Sequence, residues 1–217
     1  MEMIHPAFVE LGEDMQLILI RHGETLWNKE KRVQGTTDIE LSSAGIEQAR
    51  RLAASLKDAN IGAIHASPLK RAHQTAEIIN RFHGRNIETH HELMEMDMGD
   101  FEGVSFKDLM ARENEFLRRW IAEPASVRMP NGETLAELQN RAWRPIQKFL
   151  EREEDALIVS HNFTIATILC RVRNISLSEF RSTCVDNASK TLIRFQDGQA
   201  HIEVINDCRH LDAPSDV

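Results

Sequence analysis

The sequence predicts an α/β fold built on a mostly parallel sheet, and three observations predict it. Short apolar runs alternate with stretches of helical periodicity. The runs Leu17–Ile20, Ile61–Ala66 and Ala156–Ser160 are largely apolar on successive residues, the mark of strands buried on both faces. Two later runs, Thr191–Phe195 and His201–Ile205, flank Gln196-Asp197-Gly198-Gln199. Asp-Gly is a turn signal, so these two runs read as a hairpin that finishes the sheet.

Taken in order, residues 1–14 are acidic and lack the basic start of a signal peptide; they are expected to form a loosely held arm. A single domain is expected over 15–217. After the first strand, Ile46, Ala49, Leu52, Ala53 and Leu56 form an apolar helical stripe, with Ser42 or Ser43 as its N-cap. Ser67-Pro68 reads as an N-cap followed by proline at the first helical position. Leu69, Ala72, Ala76 and Ile79 then share one face. Residues 97–132 are charged and carry several Gly and Pro residues; they read as a helical insertion over one end of the sheet. A third helical pattern runs from Glu133 to Leu150, with Pro145 expected to kink or divide it. A fourth, Phe163 to Val172, follows the strand at 156–160.

Composition narrows the function classes. Among 217 residues, 41% are hydrophobic, enough for a core, and 26 basic against 34 acidic residues leave a net charge of −8. That balance argues against general nucleic-acid or membrane-surface binding, though a small anion could still be held where bases gather locally. No apolar run approaches the roughly 18 residues of a membrane span. The three cysteines, Cys170, Cys184 and Cys208, are odd in number and form no CxxC pair. A disulfide framework is therefore not expected, and a reducing, cytoplasmic setting is.

The chemistry-bearing residues share a position. The first strand runs into Arg21-His22-Gly23, the strand at 156–160 into His161-Asn162, and the strand at 61–66 into Ser67-Pro68 with Arg71 soon after. Ligands of open α/β sheets sit beyond the carboxyl ends of the strands. A lone histidine after a strand is ordinarily a satisfied polar residue. Arg71 in a first helical turn is set against the helix dipole, which hints that it answers to an anion. Two histidines and two arginines recurring at equivalent ends argue for one pocket for a dianion. Helix N-termini near 68 and 162 would add N–H groups. Arginine suits phosphate because its planar fork donates two parallel bonds, and neutral imidazole is a competent nucleophile. An acid for the leaving group would come from the carboxylate-rich segment 92–103. A carboxyl beside a phosphate dianion is pushed toward its protonated form. The residues alone do not choose among its acids.

The run Arg21-His22-Gly23-Glu24-Thr25-Leu26-Trp27-Asn28 resembles the signature of the histidine phosphatase superfamily, in its phosphoglycerate-mutase-like branch. The match continues through Gln34-Gly35, Asp38, Leu41-Ser42, Gly45 and Gln48-Ala49. It then takes in Ala66 to Ala72, Gln74-Thr75-Ala76, Leu93-Met94-Glu95, Glu102-Gly103, Pro130 to Glu133 and Val159-Ser160-His161. It covers roughly residues 16–205. The resemblance implies a three-layer α/β/α sandwich and a covalent phosphohistidine formed without metal or other cofactor. On the matched positions it implies His22 as nucleophile and Glu95 as proton donor, then base. It implies a phosphate pocket of Arg21, Arg71 and His161, with His161 as a cation in the transition state. Asn28, Gln34, Gly35 and Asn162 complete the candidate phosphate-binding set. Many relatives carry Gly where this chain has Asn162, so that residue is expected either to adopt a left-handed backbone or to reach into the pocket.

Phosphatase and mutase share such a pocket. The chain has no tyrosine, whereas mutases of the family place one shortly after the acid. They also carry a longer basic insertion. Arg118-Arg119 could touch a carboxylated substrate but reads better as a solvated face beside Leu117 and Trp120. Hydrolysis of small phosphorylated metabolites is therefore expected, with phosphoglycerate mutase as the alternative. A silent phosphate sensor would lack the nucleophile or the acid, and both are present. Met94, Met96 and Met98 read as packing or as an adaptable wall for leaving groups. A metal-dependent hydrolase using His90, His91 and Glu92 is disfavoured, because adjacent histidines on a strand face opposite ways. A homodimer is left open.

Overall fold

A computed structural model describes residues 15–152, 155–196 and 199–212. In chain order the elements are β1 (Met15–Arg21), α1 (Leu26–Lys29), α2 (Ser43–Leu56), β2 (Ala63–Ala66), α3 (Lys70–Asn80) and β3 (Ile87–Thr89). There follow α4 (Phe106–Arg112), α5 (Asn114–Ala122), α6 (Leu135–Glu151), β4 (Ala156–Ser160) and α7 (Asn162–Val172). β5 (Lys190–Gln196), β6 (Gln199–Asp207) and α8 (Arg209–Asp212) complete the described chain.

The sheet has the order β3-β2-β4-β1-β5-β6. β3, β2, β4 and β1 run parallel, and β5 and β6 run antiparallel. The burial strings follow from this. The centre of β1 and all of β4 are buried, whereas β5 alternates and β6 is at most half-buried along most of its length. One apolar face of the sheet (Ile18, Ile20, Leu157, Val159) packs on Leu52 of α2 and Ile79 of α3. The other (Leu17, Leu19, Ile158) packs on Ile146 and Phe149 of α6 and Ile165 of α7. The result is the three-layer α/β/α sandwich. A third cluster joins Leu109 of α4 and Leu117 and Trp120 of α5 to Leu135, Leu138 and Phe180. It seats the 97–132 insertion against α6 and α7.

Several local expectations hold, and others shift for identifiable reasons. Ser42, not Ser43, caps α2 by accepting from the Gly45 N–H at 3.0 Å. Thr134 and Glu137 form a capping box on α6. Pro145 neither divides nor ends that helix, which continues to Glu151. Buried Trp143, Ile146 and Phe149 on the same helix hold it against the lost hydrogen bond. α3 starts at Lys70 rather than at Pro68, without a side-chain cap of its own; Asp38 Oδ1 accepts the Lys70 N–H at 2.7 Å instead. β2 begins at Ala63 rather than Ile61, because Gly62 and Ala63 both donate to the Asp155 carbonyl at 3.0 Å. β3 has no clear sequence signature, since two of its three residues are exposed and only Ile87 packs on the core. The expected arm at 1–14 and the Asp197-Gly198 turn lie outside the described residues. Among those described, the cysteines are free and no helix is long and apolar enough to cross a membrane.

Candidate active site

The sheet register brings the chemistry together. β2, β4 and β1 are neighbours, and Arg21 lies opposite Ser160. The ladder extends past the strands: His22 N–H donates to the Ser160 carbonyl at 3.1 Å and Ser67 N–H to the Val159 carbonyl at 3.0 Å. His22 and His161 therefore leave adjacent strand ends, and their ring centroids stand 5.1 Å apart.

His22 is 2% exposed. Its Nδ1 lies 2.7 Å from the Gly23 carbonyl oxygen. A carbonyl only accepts, so Nδ1 carries the proton and Nε2 keeps its lone pair. Gly23 is a glycine for a local reason. A Cβ there would stand 2.4 Å from the Gly45 carbonyl oxygen, so the loop after the histidine can lie on the start of α2 only without a side chain.

Arg71 is fully buried and ties three parts of the site together. Its Nε donates to His161 Nδ1 at 3.2 Å, Nη1 to the Thr37 carbonyl at 2.9 Å and Nη2 to the Gly35 carbonyl at 2.7 Å. With Nδ1 accepting, His161 carries its proton on Nε2 and donates it to Ser67 Oγ at 2.8 Å. Ser67 Oγ thus serves His161 and also accepts the Leu69 N–H at 3.3 Å just ahead of α3. Burial lowers Arg71 to about 10, so it stays charged at neutral pH. The 36–37 loop is held in turn by Glu102. Its Oε1 accepts from Thr36 N at 2.6 Å, and its Oε2 accepts from Thr37 N at 2.7 Å and from the Thr37 hydroxyl. Burial pushes the Glu102 carboxyl up, but these bonds from Thr37 and Thr36 hold it below the usual range.

Arg21 completes the cationic wall. Nη1 donates to the Val185 carbonyl at 2.6 Å, while Nε is buried with no partner among the described residues. A buried donor left unsatisfied costs about 1–3 kcal/mol; an oxyanion is the group that would relieve it.

Glu95 is 6% exposed and sits at the N-terminus of α7. Its Oε2 accepts from Phe163 N at 3.2 Å and its Oε1 from Thr164 N at 3.2 Å and Met96 N at 2.9 Å. Its charge raises the pKa values of Arg21 and Arg71, against the burial that lowers both, so the carboxylate faces the same pocket. Arg141 of α6, which sequence reasoning missed, fixes this segment. Nη1 donates to the carbonyls of Glu92 and Met94 at 2.8 and 2.7 Å, and Nη2 to that of Glu95 at 2.8 Å. Nε and Nη2 also bind Glu133 at 2.7 and 2.8 Å. Arg141→Ala would release three carbonyls next to the carboxylate. Turnover should fall about 100-fold through misplacement alone, most for esters with poor leaving groups. Arg141→Lys should not restore it, since a point charge cannot replace the fork. Equal losses across leaving groups would show that the clamp serves only the fold.

The remaining predicted residues divide. Asn28 Oδ1 is taken up by Thr25 N at 3.1 Å and Asn187 Nδ2 at 3.2 Å, which leaves its amide NH2 as the end for an anion. Gln34 Oε1 accepts from the Thr25 hydroxyl at 2.6 Å. Gly35 contributes its carbonyl to Arg71, and a Cβ there would meet Glu102 Oε1 at 2.4 Å. Asn162 is not left-handed. It opens α7, and its Oδ1 accepts the Val185 N–H at 2.8 Å. Arg118 and Arg119 are exposed on α5, with Leu117 and Trp120 inward, as a solvated face requires. Met96 is core, while Met98 lies near Gly35.

Burial, then Arg71 and Arg21, lowers His22 well below the usual 6.5; burial, Arg71 and His22 do the same to His161. Both rings are therefore neutral without a ligand, so a cationic His161 would arise only once an anion is bound. Stability should follow. Above pH 6.5 both states are neutral; below it the unfolded chain takes up protons that the folded protein refuses. Urea melts should lose up to about 1.4 kcal/mol per pH unit for each ring as pH falls below 6.5. Stability that rises on acidification to pH 5 would contradict this assignment.

The sheet thus gathers at one end two guanidinium groups, two imidazoles that are neutral without a ligand, and a carboxylate, the groups that would receive a small oxyanion. That is the equipment of an α/β enzyme acting on phosphomonoesters. The chain belongs to the histidine phosphatase superfamily: the sequence profile of its branch 1 matches residues 17–208. It is 33% identical over 199 residues to phosphoserine phosphatase 1 of Hydrogenobacter thermophilus, covering 91% of this chain and 94% of that protein. It is 31% identical over 208 residues to the "Probable phosphoglycerate mutase GpmB" of Escherichia fergusonii, covering 93% of this chain and 97% of that protein. The solved structure of Bacillus stearothermophilus YhfR matches with a TM-score of 0.85 at 30% identity, over 91% of this chain and 99% of that one.

Proposed function

We propose that the protein hydrolyses small phosphate monoesters in two steps through a phosphohistidine on His22. The observation that carries this reading is the His22 tautomer. With Nδ1–H held by the Gly23 carbonyl, the Nε2 lone pair is the reactive end, beside the guanidinium groups of Arg21 and Arg71. In the first step Nε2 forms a bond to phosphorus as the ester P–O bond breaks. Arg21, Arg71 and the Asn28 amide hold the equatorial oxygens, and the Glu95 carboxyl gives its proton to the departing alkoxide. In the second step Glu95 takes a proton from water, the hydroxide oxygen bonds to phosphorus, and the P–N bond breaks to release inorganic phosphate. His161 would exchange its Arg71 partner for a phosphate oxygen. An arriving dianion favours protonation of that ring, which supplies the cation where charge develops. In this reading the guanidinium groups supply the charge stabilisation, so turnover should survive a chelator.

Among leaving groups, phosphoserine, phosphoglycerate, sugar phosphates and nucleotide-like phosphates are the candidates. The similarity to a named phosphoserine phosphatase supports phosphoserine as the first substrate to try. The similarity to a named phosphoglycerate mutase keeps phosphoryl transfer between sugar-acid hydroxyls as the second reading. The free cysteines fit a reducing compartment, which we take to be the cytoplasm. The test is incubation with radiolabelled phosphoserine and phosphoglycerate, followed by a quench. Label on the protein should survive base, be lost in acid and map to His22, with inorganic phosphate as the product. Transfer of label to a second hydroxyl of the sugar acid, without net phosphate release, would favour the mutase. No acid-labile label with continued hydrolysis would sink the covalent mechanism.

A further inference from the structure

We propose that His65, Glu88 and His90 form a binding site for one zinc-class divalent transition metal at the β3 edge of the sheet, separate from the phosphate pocket. The parallel register places His65 of β2 opposite Glu88 of β3. The ladder continues beyond β3, where His90 N–H donates to the Ala66 carbonyl at 2.9 Å. Glu88 and His90 are two residues apart in extended chain and so share a face. The neighbouring His91, which sequence reasoning had paired with His90, starts a 3-10 turn and is exposed.

The donor atoms converge. His65 Nδ1 lies 3.1 Å from His90 Nε2 and 3.7 Å from Glu88 Oε2, and His90 Nε2 lies 3.9 Å from the same oxygen. A zinc ion with ligands at about 2.0–2.1 Å has tetrahedral edges of about 3.4 Å. The three separations bracket that value, and Glu88, half-exposed, is free to close the longer two. The rings are already oriented. Phe149 of α6 stacks on His65 at 3.9 Å between centroids, with its plane 15° away, and meets His90 edge-on at 5.4 Å. Two imidazoles and one carboxylate select zinc, cobalt, nickel or copper over magnesium and calcium, which prefer all-oxygen shells. Three protein ligands leave a fourth position for water. Glu92 adds a negative charge, whereas Lys148 and Arg152 at the end of α6 oppose the ion and limit its affinity. A hydrogen-bonded pair of histidines beside a surface glutamate is the alternative, and it makes different predictions.

The test uses untagged full-length protein carrying His22→Ala, so that the catalytic imidazole contributes nothing, stripped with chelator and dialysed. Zn²⁺ titrated by calorimetry should bind with one equivalent per chain. Co²⁺ should give the intense visible bands of four-coordinate geometry, and Zn²⁺ should raise Tm because it binds only the folded chain. His90→Ala and Glu88→Ala, both at accessible positions, should each weaken binding by about tenfold or more, while His91→Ala should not. His65 is buried, so its substitution is not relied upon. No saturable binding below about 0.1 mM, or affinity unchanged in both His90→Ala and Glu88→Ala, would overturn the site. Because the catalytic reading needs no metal, the two proposals fail independently.

Discussion

Replacing His22 with alanine should abolish turnover, by about 10⁴-fold or more in kcat, and remove all acid-labile phosphate from the protein. Losses of that size follow when a covalent nucleophile is deleted and only binding and charge stabilisation remain. Folding should survive. The side chain is a desolvated neutral ring facing two guanidinium groups, and its removal strands no buried charge partner. The arginines would then hold phosphate without transferring it, so inorganic phosphate should still raise Tm. A His22→Ala protein that hydrolyses esters at an undiminished rate would transfer the nucleophile's role elsewhere, His161 being the first candidate.

Glu95→Gln should lower kcat by about 10²–10⁴-fold for alkyl phosphates, the range of a lost general acid. The loss should shrink for nitrophenyl phosphate, whose leaving group departs without a proton. The substitution is not purely chemical. Both carboxylate oxygens accept backbone N–H groups, from Met96 and Thr164 on one and Phe163 on the other. A glutamine must turn its NH2 toward one of these donors. That part of the penalty is common to all substrates, so the dependence on leaving group isolates the proton transfer. A uniform loss would reduce Glu95 to a positioning role.

What could be read from the chain alone were features with local signatures. β1 and β4 announce themselves as apolar runs, and each hands its next residue to the site, which is why Arg21, His22 and His161 were legible. Arg71 was legible as a cation set against a helix dipole. Long-range partners were not. Arg141 sits on the face of an amphipathic helix, and nothing in its own segment says that it grips the backbone 46 to 49 residues earlier. Ser67 resembles a cap, and only the tertiary fold shows its hydroxyl facing His161. The bond between Asn162 and Val185, 23 residues away, is hidden for the same reason. β3 was missed because an exposed edge strand of three residues has no burial pattern to display. The residues that act through others are those for which one-dimensional reasoning has least to work with.

The Arg141 clamp has a consequence for how the substrate range can change. The acid's backbone is anchored from α6 and its side chain from α7, and α4 and α5 pack on the same two helices through an apolar cluster that also takes in Met96. Buried residues of the insertion are therefore tied to the acid, whereas exposed ones such as Phe106 and Met110 can be exchanged with least disturbance to it. Swapping the whole 104–122 segment between relatives should thus slow turnover along with any change of preference, whereas exchanging its exposed side chains alone should leave turnover of a common substrate nearly unchanged.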